Sequence, residues 1–270
     1  MNTTTLKRKF SIERTALLIR NRALEDLPTV LIGMGLLLGI NLFSIIVTRR
    51  AMFNDGSGQV WTFSLFGSGL LFASYAFKGM HDGKAGLDWV LLPASSLEKY
   101  LAALIEYVIL YPLVGAVATL GLSALLSLFE TMAGGSGGRI WMPGIKDLLR
   151  AWCEYAIVAL WFLAGSAAFR RRPLLKSSGI LMLYVLLMSS ALFLLMHVSA
   201  QYAPNGLGYG GGFSFSFDGW SSYVSRPLPE SAQSALTIVF DVLRYAIVPI
   251  FSVGYGYLRV AEKEVRDEVQ

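Results

Sequence analysis

Six stretches of the chain are apolar for long enough to cross a bilayer as helices: residues 27–47, 60–77, 100–128, 148–169, 179–198 and 235–258. At 1.5 Å of rise per residue, about 20 residues cover the ~30 Å of hydrocarbon. The second stretch is the shortest and most polar. This pattern predicts an all-α, polytopic membrane protein with six transmembrane helices over 27–258. Its connections fall at 48–59, 78–99, 129–147 and 199–234, with a further short basic one after the fourth span. Ahead of the first span, "LKRKFSIERTALLIRNRAL" sets Ile12, Ala16, Ile19 and Ala23 on one helical face, with Arg14, Arg20 and Arg22 elsewhere. That spacing predicts a separate interfacial helix within 1–26, lying on a membrane leaflet, or else simple juxtamembrane topogenic charge. The tail 259–270, "RVAEKEVRDEVQ", reads as a solvated helical extension of the last span.

Charge placement sets the orientation. With six spans both termini share one side. That side collects sixteen Lys and Arg residues, in the N-terminal segment, the 78–99 connection, the "RRR" run at 170–172 with Lys176, and the tail. The opposite side holds six, and Arg244 falls inside the sixth span. The excess predicts cytoplasmic termini and a cytoplasmic 78–99 loop. Long outward loops follow at 129–147, which is Gly/Ser-rich, and at 199–234. In the latter Phe213, Phe215 and Phe217 alternate with serines, as an interfacial aromatic belt or a cap over a pathway would.

Composition narrows the function classes. Of 270 residues 54% are hydrophobic and 15% charged, against about 25% charged in soluble domains. The net charge of +5 follows topology rather than nucleic-acid binding. One cysteine, Cys153, leaves no internal disulfide, and two histidines argue against a structural zinc site. "GMHDGKAG" is too short in its glycine spacing for a phosphate-binding loop, and Ala85 stands where a magnesium-holding hydroxyl belongs. No enzyme site is expected. His81 and His197 read as simple hydrogen-bonding residues. No cleavable signal pattern precedes the first span, so the N-terminal segment is expected to stay on the protein.

Charges within the spans need a reason, because ionised groups in hydrocarbon are costly. Asp241 and Arg244 lie three apart and are expected to meet on one helix face, neutralising each other or lining a polar path. Glu106 and Glu154 are expected to snorkel. Ser64, Ser68 and Ser74 give the second span a small polar stripe, for packing or for a pathway. Gly35 and Gly39 form a G-x-x-x-G close-packing motif. Pro112 and Pro249 are expected to kink their helices.

The loop "FKGMHDGKAGLDWVLLPASSLEKY" carries the most local information. Ser95 can cap a helix starting at Ser96, and Glu98 can reach back from its third position, a capping box. Asp88 to Pro93 would form the turn before it. Leu87, Trp89, Val90, Leu91 and Leu92 would make an apolar knob, packed on its own bundle or projecting to a partner.

This text, with its L-P-A-S-x-x-E-K loop and a tail of the form E-x-E-V-x-D, resembles a group of small bacterial permease subunits of type-2 ATP-binding-cassette exporters. The six-span layout, interfacial helix and loop between the second and third spans resemble that family too. The resemblance implies a transport subunit in the bacterial inner membrane, paired with a second copy or a paralogue. ATP and magnesium would be bound by separate cytoplasmic ATPase subunits, and no cofactor is expected in this chain. Docking would fall on the 79–98 segment, with Asp88, Trp89, Leu91, Leu92, Pro93, Ser95, Glu98 and Lys99 as its residues. Two other classes fit the same text. One is an ion- or proton-coupled carrier with Asp241, Arg244, Glu154 and Glu106 as its relay. The other is a non-transporting membrane anchor or immunity protein.

Overall fold

A computed structural model describes residues 10–48, 64–81, 94–132, 142–202 and 241–268, with the single positions 62, 89, 91, 92, 238 and 239. The described residues are helical throughout, with no strand among them. α1 spans Ile12–Thr48. A π-helical turn at Ser64–Gly69 leads into α2, Leu70–Tyr75, and α3 is a single turn at Lys78–His81. α4 covers Ser96–Met132 and contains a π turn at Ile105–Leu110. α5 is Ile145–Ala168 and α6 is Pro173–Tyr202. A π turn at Leu243–Ile247 opens α7, Val248–Glu268.

Among the described residues three helices are long and apolar enough to span a membrane: Ser96–Met132, Ile145–Ala168 and Pro173–Ser190. They coincide with the third, fourth and fifth predicted spans. The outward loops at 129–147 and 199–234 lie largely outside the described residues, and the aromatic run 213–217 entirely so.

The expected boundary near residue 26 is not there. α1 is one helix of 37 residues that carries Pro28 inside it. Pro28 forgoes one ladder bond and its ring crowds the carbonyl four residues back, but the helix runs on through it. At 37 residues α1 is about 55 Å long, well beyond the hydrocarbon thickness, so its basic first turns and its apolar half form one rod. The tail is helical as read, because α7 continues to Glu268.

α5 is the central element, packed against α7, α2, α6 and the π turn of α4. Its last turns, "FLAGSA" from Phe162 to Ala167, are buried as a run. Small side chains there let neighbours come close: at Gly165 a Cβ would occupy the space of the Ser177 hydroxyl on α6. The core is thickest at this end of the bundle, where Phe77, Met80, Trp89, Tyr100, Phe162 and Val260 cluster. Tyr100 stacks on Phe77 with ring centroids 5.9 Å apart. Away from that end, Val117 of α4 and Met182 of α6 are 70% and 73% exposed, as surfaces solvated by lipid rather than water can be. Gly35 and Gly39 also face open space, so their motif packs nothing within the described chain.

Candidate functional site

The best-built polar junction lies where α4 begins. Ser95 sits in an extended conformation (φ −74°, ψ 157°) as the N-cap of α4. The Glu98 amide donates to Ser95 Oγ at 3.3 Å, and the Ser95 amide donates to Glu98 Oε2 at 2.7 Å. This is the capping box that the Ser-x-x-Glu spacing predicts.

Glu98 also makes contacts that local spacing does not suggest. Its other oxygen, Oε1, accepts from the Ser11 amide at 2.6 Å and lies 3.2 Å from Arg14 Nη2. Ser11 in turn closes the first turn of α1, its carbonyl accepting from the amide and hydroxyl of Thr15. One fully buried carboxylate therefore bonds the starts of two helices, the Ser11 amide lying 87 residues from Glu98 in sequence. Both ends favour negative charge, because orphan N–H groups and the helix dipole point at it.

Lys99 reaches the other way. Its ammonium donates to the Trp89 carbonyl at 2.8 Å and lies 4.3 Å from the Trp89 ring centre. Lys99 and Trp89 are both buried. Glu98 and Lys99 together thus bind the loop, α1 and α4 into one piece. The apolar knob is split by this arrangement. Trp89 turns inward as an anchor, whereas Leu91 and Leu92 point out, at 74% and 38% exposed, beside Leu97 at 40%. Asp88 and Pro93 lie outside the described residues, as do Leu87 and Val90.

His81 fastens the far side of the junction, with Nε2 3.1 Å from the Ser166 carbonyl of α5. Burial holds its pKa below the usual histidine value, and Lys263 and Arg170 push the same way against its backbone hydrogen bonds. Around it the chain exposes Arg170, Arg171 and Arg172, the last in the left-handed region at φ 51° where the chain turns sharply into α6.

The charged residues of the spans are arranged differently from the expectation. Arg244 is paired with Glu154 of α5, and Tyr245 donates its hydroxyl to the same carboxylate at 2.7 Å. Asp241, the neighbour three residues away, is exposed. Spacing on one helix offered Asp241, but a buried carboxylate on the facing helix is the partner that most needs the charge. Glu154 and Glu106 do not snorkel; they are 5% and 6% exposed and turned inward. Glu106 Oε2 and Arg22 Nη1 are buried without a hydrogen-bond partner, and Arg22, Asp26 and Glu25 of α1 are the charges that act on Glu106.

The serine stripe is engaged in packing. Ser68 shares a 2.6 Å hydrogen bond with Tyr111, and Ser74 donates to the Leu71 carbonyl within its own helix. Ser64 opens the first π turn, and its side chain lies outside the described set.

Three residues that sequence reading passed over are central here. Trp152 and Tyr155 of α5 donate to backbone carbonyls of α4, and Tyr107 donates to Asp26 of α1 at 2.8 Å. Aromatic residues with a polar tip inside an apolar span are the only signal that marks them in the sequence. No family model, no curated protein and no solved structure matches this chain.

Proposed function

We propose that the chain is the transmembrane permease subunit of an ATP-driven exporter. In this reading it has six spans and cytoplasmic termini, and sits in a bacterial inner membrane. It works with a second copy or a paralogue, and separate ATPase subunits dock on the 79–98 segment. The observation that carries the reading is the junction at Glu98. Leu91 and Leu92 project from a base that Lys99, Trp89, Ser95 and Glu98 hold rigid. A push on two exposed leucines would therefore reach α1 and α4 together rather than being absorbed by a soft loop. The test is purification from native membranes in mild detergent. A stoichiometric ATP-hydrolysing partner is the expected result, and a chain that isolates alone from native membranes, in every mild detergent tried, removes the basis of the reading.

One observation favours a second reading, an ion- or proton-coupled carrier. Glu106 and Arg22 are opposite charges buried near each other with polar atoms unpartnered, as a relay would keep them. Transport by the purified chain alone in liposomes, driven by a proton or sodium gradient and lost in Glu106→Gln, would favour that carrier over the exporter.

A further inference from the structure

The three π turns among the described residues converge on one turn of α5, residues 152–155. The first, Ser64–Gly69, presses on Tyr155: the Phe66 ring meets it edge-on at 6.0 Å, and a Cβ on Gly69 would lie 2.7 Å from its hydroxyl. The second, Ile105–Leu110, receives two hydrogen bonds from α5. Tyr155 donates to the Tyr107 carbonyl at 2.9 Å, and Trp152 Nε1 donates to the Val108 carbonyl at 2.7 Å. The third, Leu243–Ile247, is held through Arg244 and Tyr245, both on Glu154.

Proline accounts for two of these turns. Pro112 lies two residues after the second, and Pro249 two residues after the third. A proline has no N–H for the carbonyl four residues back, and its ring crowds that carbonyl. In α4 the deprived carbonyl is that of Val108. The Tyr111 amide then bonds the Glu106 carbonyl, five residues back, which leaves the Tyr107 carbonyl free as well. Trp152 and Tyr155 supply donors to these two carbonyls. In the sixth predicted span the Val248 amide likewise bonds back to Leu243. The axial bonds lost at Pro112 are thus replaced by sideways bonds from α5 to the α4 carbonyls, and before α7 the Arg244–Glu154 ion pair ties the π turn to the same helix. α5 itself runs from Ile145 to Ala168 with no proline and no π turn.

We propose that this arrangement is a hinge: α5 is a stiff post, and α4 and the sixth span bend against it at their π turns. Sharp bends in helices fall at prolines and π turns, and π turns are frequent at functional sites. Trp152, Glu154 and Tyr155 act as positioning residues that select the straight arrangement without blocking the bent one. The hinge stands independently of the exporter reading, since any conformational cycle of this bundle would use it.

A pair of spin labels tests it in lipid nanodiscs. On a Cys153→Ser background, Leu97 and Leu120 are changed to Cys and labelled. Both are exposed, they flank Pro112 on one helix, and they lie about 35 Å apart along a straight rod. The wild-type helix should give more than one distance. Pro112→Ala returns an N–H to the Val108 carbonyl and should collapse the distribution to one long distance. Tyr155→Phe, which removes only a hydroxyl, should shift population toward the shorter distance by threefold or more. A single narrow distance in the wild type, unchanged in Pro112→Ala, would overturn the hinge. Where Pro112→Ala fails to fold, an unchanged distribution in Tyr155→Phe overturns it equally.

Discussion

The junction at Glu98 and the clasp around residues 152–155 are both buried polar arrangements, but they are built on opposite plans. At the junction one carboxylate is shared by two helix starts, and its partners are backbone amides and one arginine. At the clasp three side chains of one helix reach two neighbours, Trp152 and Tyr155 the π turn of α4 and Glu154 the sixth span. The first plan makes three chain segments move as one. The second lets α4 and the sixth span be held separately and released separately. A push delivered at the junction would arrive as rigid-body motion of α1 and the start of α4, and the clasp is where that motion can turn into bending.

Substitutions can break this contrast, and the largest effect is expected at the clasp. Glu154→Ala leaves Arg244 in a partly buried site without its partner and should lower stability by about 3 kcal/mol, read as thermal unfolding in nanodiscs. Glu154→Gln combined with Arg244→Gln should recover most of that loss, since no charge is then stranded. If the double variant is as unstable as the single one, the pair is not the connection that holds the sixth span to α5.

Next in size is Glu98→Ala. It removes the carboxylate's hydrogen bonds to the Ser95 and Ser11 amides, one at the start of each helix, so a loss of about 2 kcal/mol is expected, at about 1 kcal/mol per bond. Ser95→Ala removes only the α4 cap and should cost about half as much. Amide hydrogen exchange sharpens the point. Glu98→Ala should speed exchange at the first turns of both α1 and α4, and Ser95→Ala at α4 alone. Equal effects of the two changes on α1 would mean that the carboxylate does not join the helices.

How much of this could be read from the sequence divides along the same line. The capping box was legible because Ser95 and Glu98 are three residues apart, and the box needs nothing else. Glu98's bond to Ser11 was not, because it spans 87 residues. Pro112 and Pro249 were visible as disturbances, but not as π turns, since the donors that make the α4 turn tolerable come from Trp152 and Tyr155, 44 and 48 residues away. The pairing of Arg244 was misplaced for the same reason. Asp241 was the near partner on paper, while Glu154 is 90 residues off and on the facing helix. Apolar run length, by contrast, is a local quantity, and it located the three helices that are long and apolar enough to span a membrane among the described residues.

A smaller effect concerns His81. Its pKa is lowered in the folded chain, so below about 6.5 the unfolded chain binds more protons than the folded one. The stability His81 contributes is therefore whole above that value and is lost as pH falls through its folded pKa. Thermal unfolding should occur at lower temperature at pH 5.5 than at pH 7.5, and His81→Gln should flatten that dependence. A slope unchanged in the variant would show that the His81–Ser166 contact is not what titrates.

The most direct measurement for the central claim is recovery of an ATPase partner by affinity-tagged chain from native membranes, comparing wild type with Leu91→Asp, Leu92→Asp and Ser95→Ala. A charge buried at an apolar contact costs several kcal/mol. Both Asp variants should therefore lose the partner while keeping wild-type unfolding temperatures. Ser95→Ala should retain it. Full recovery of the partner by both Asp variants would contradict the claim that this junction is where the chain is driven.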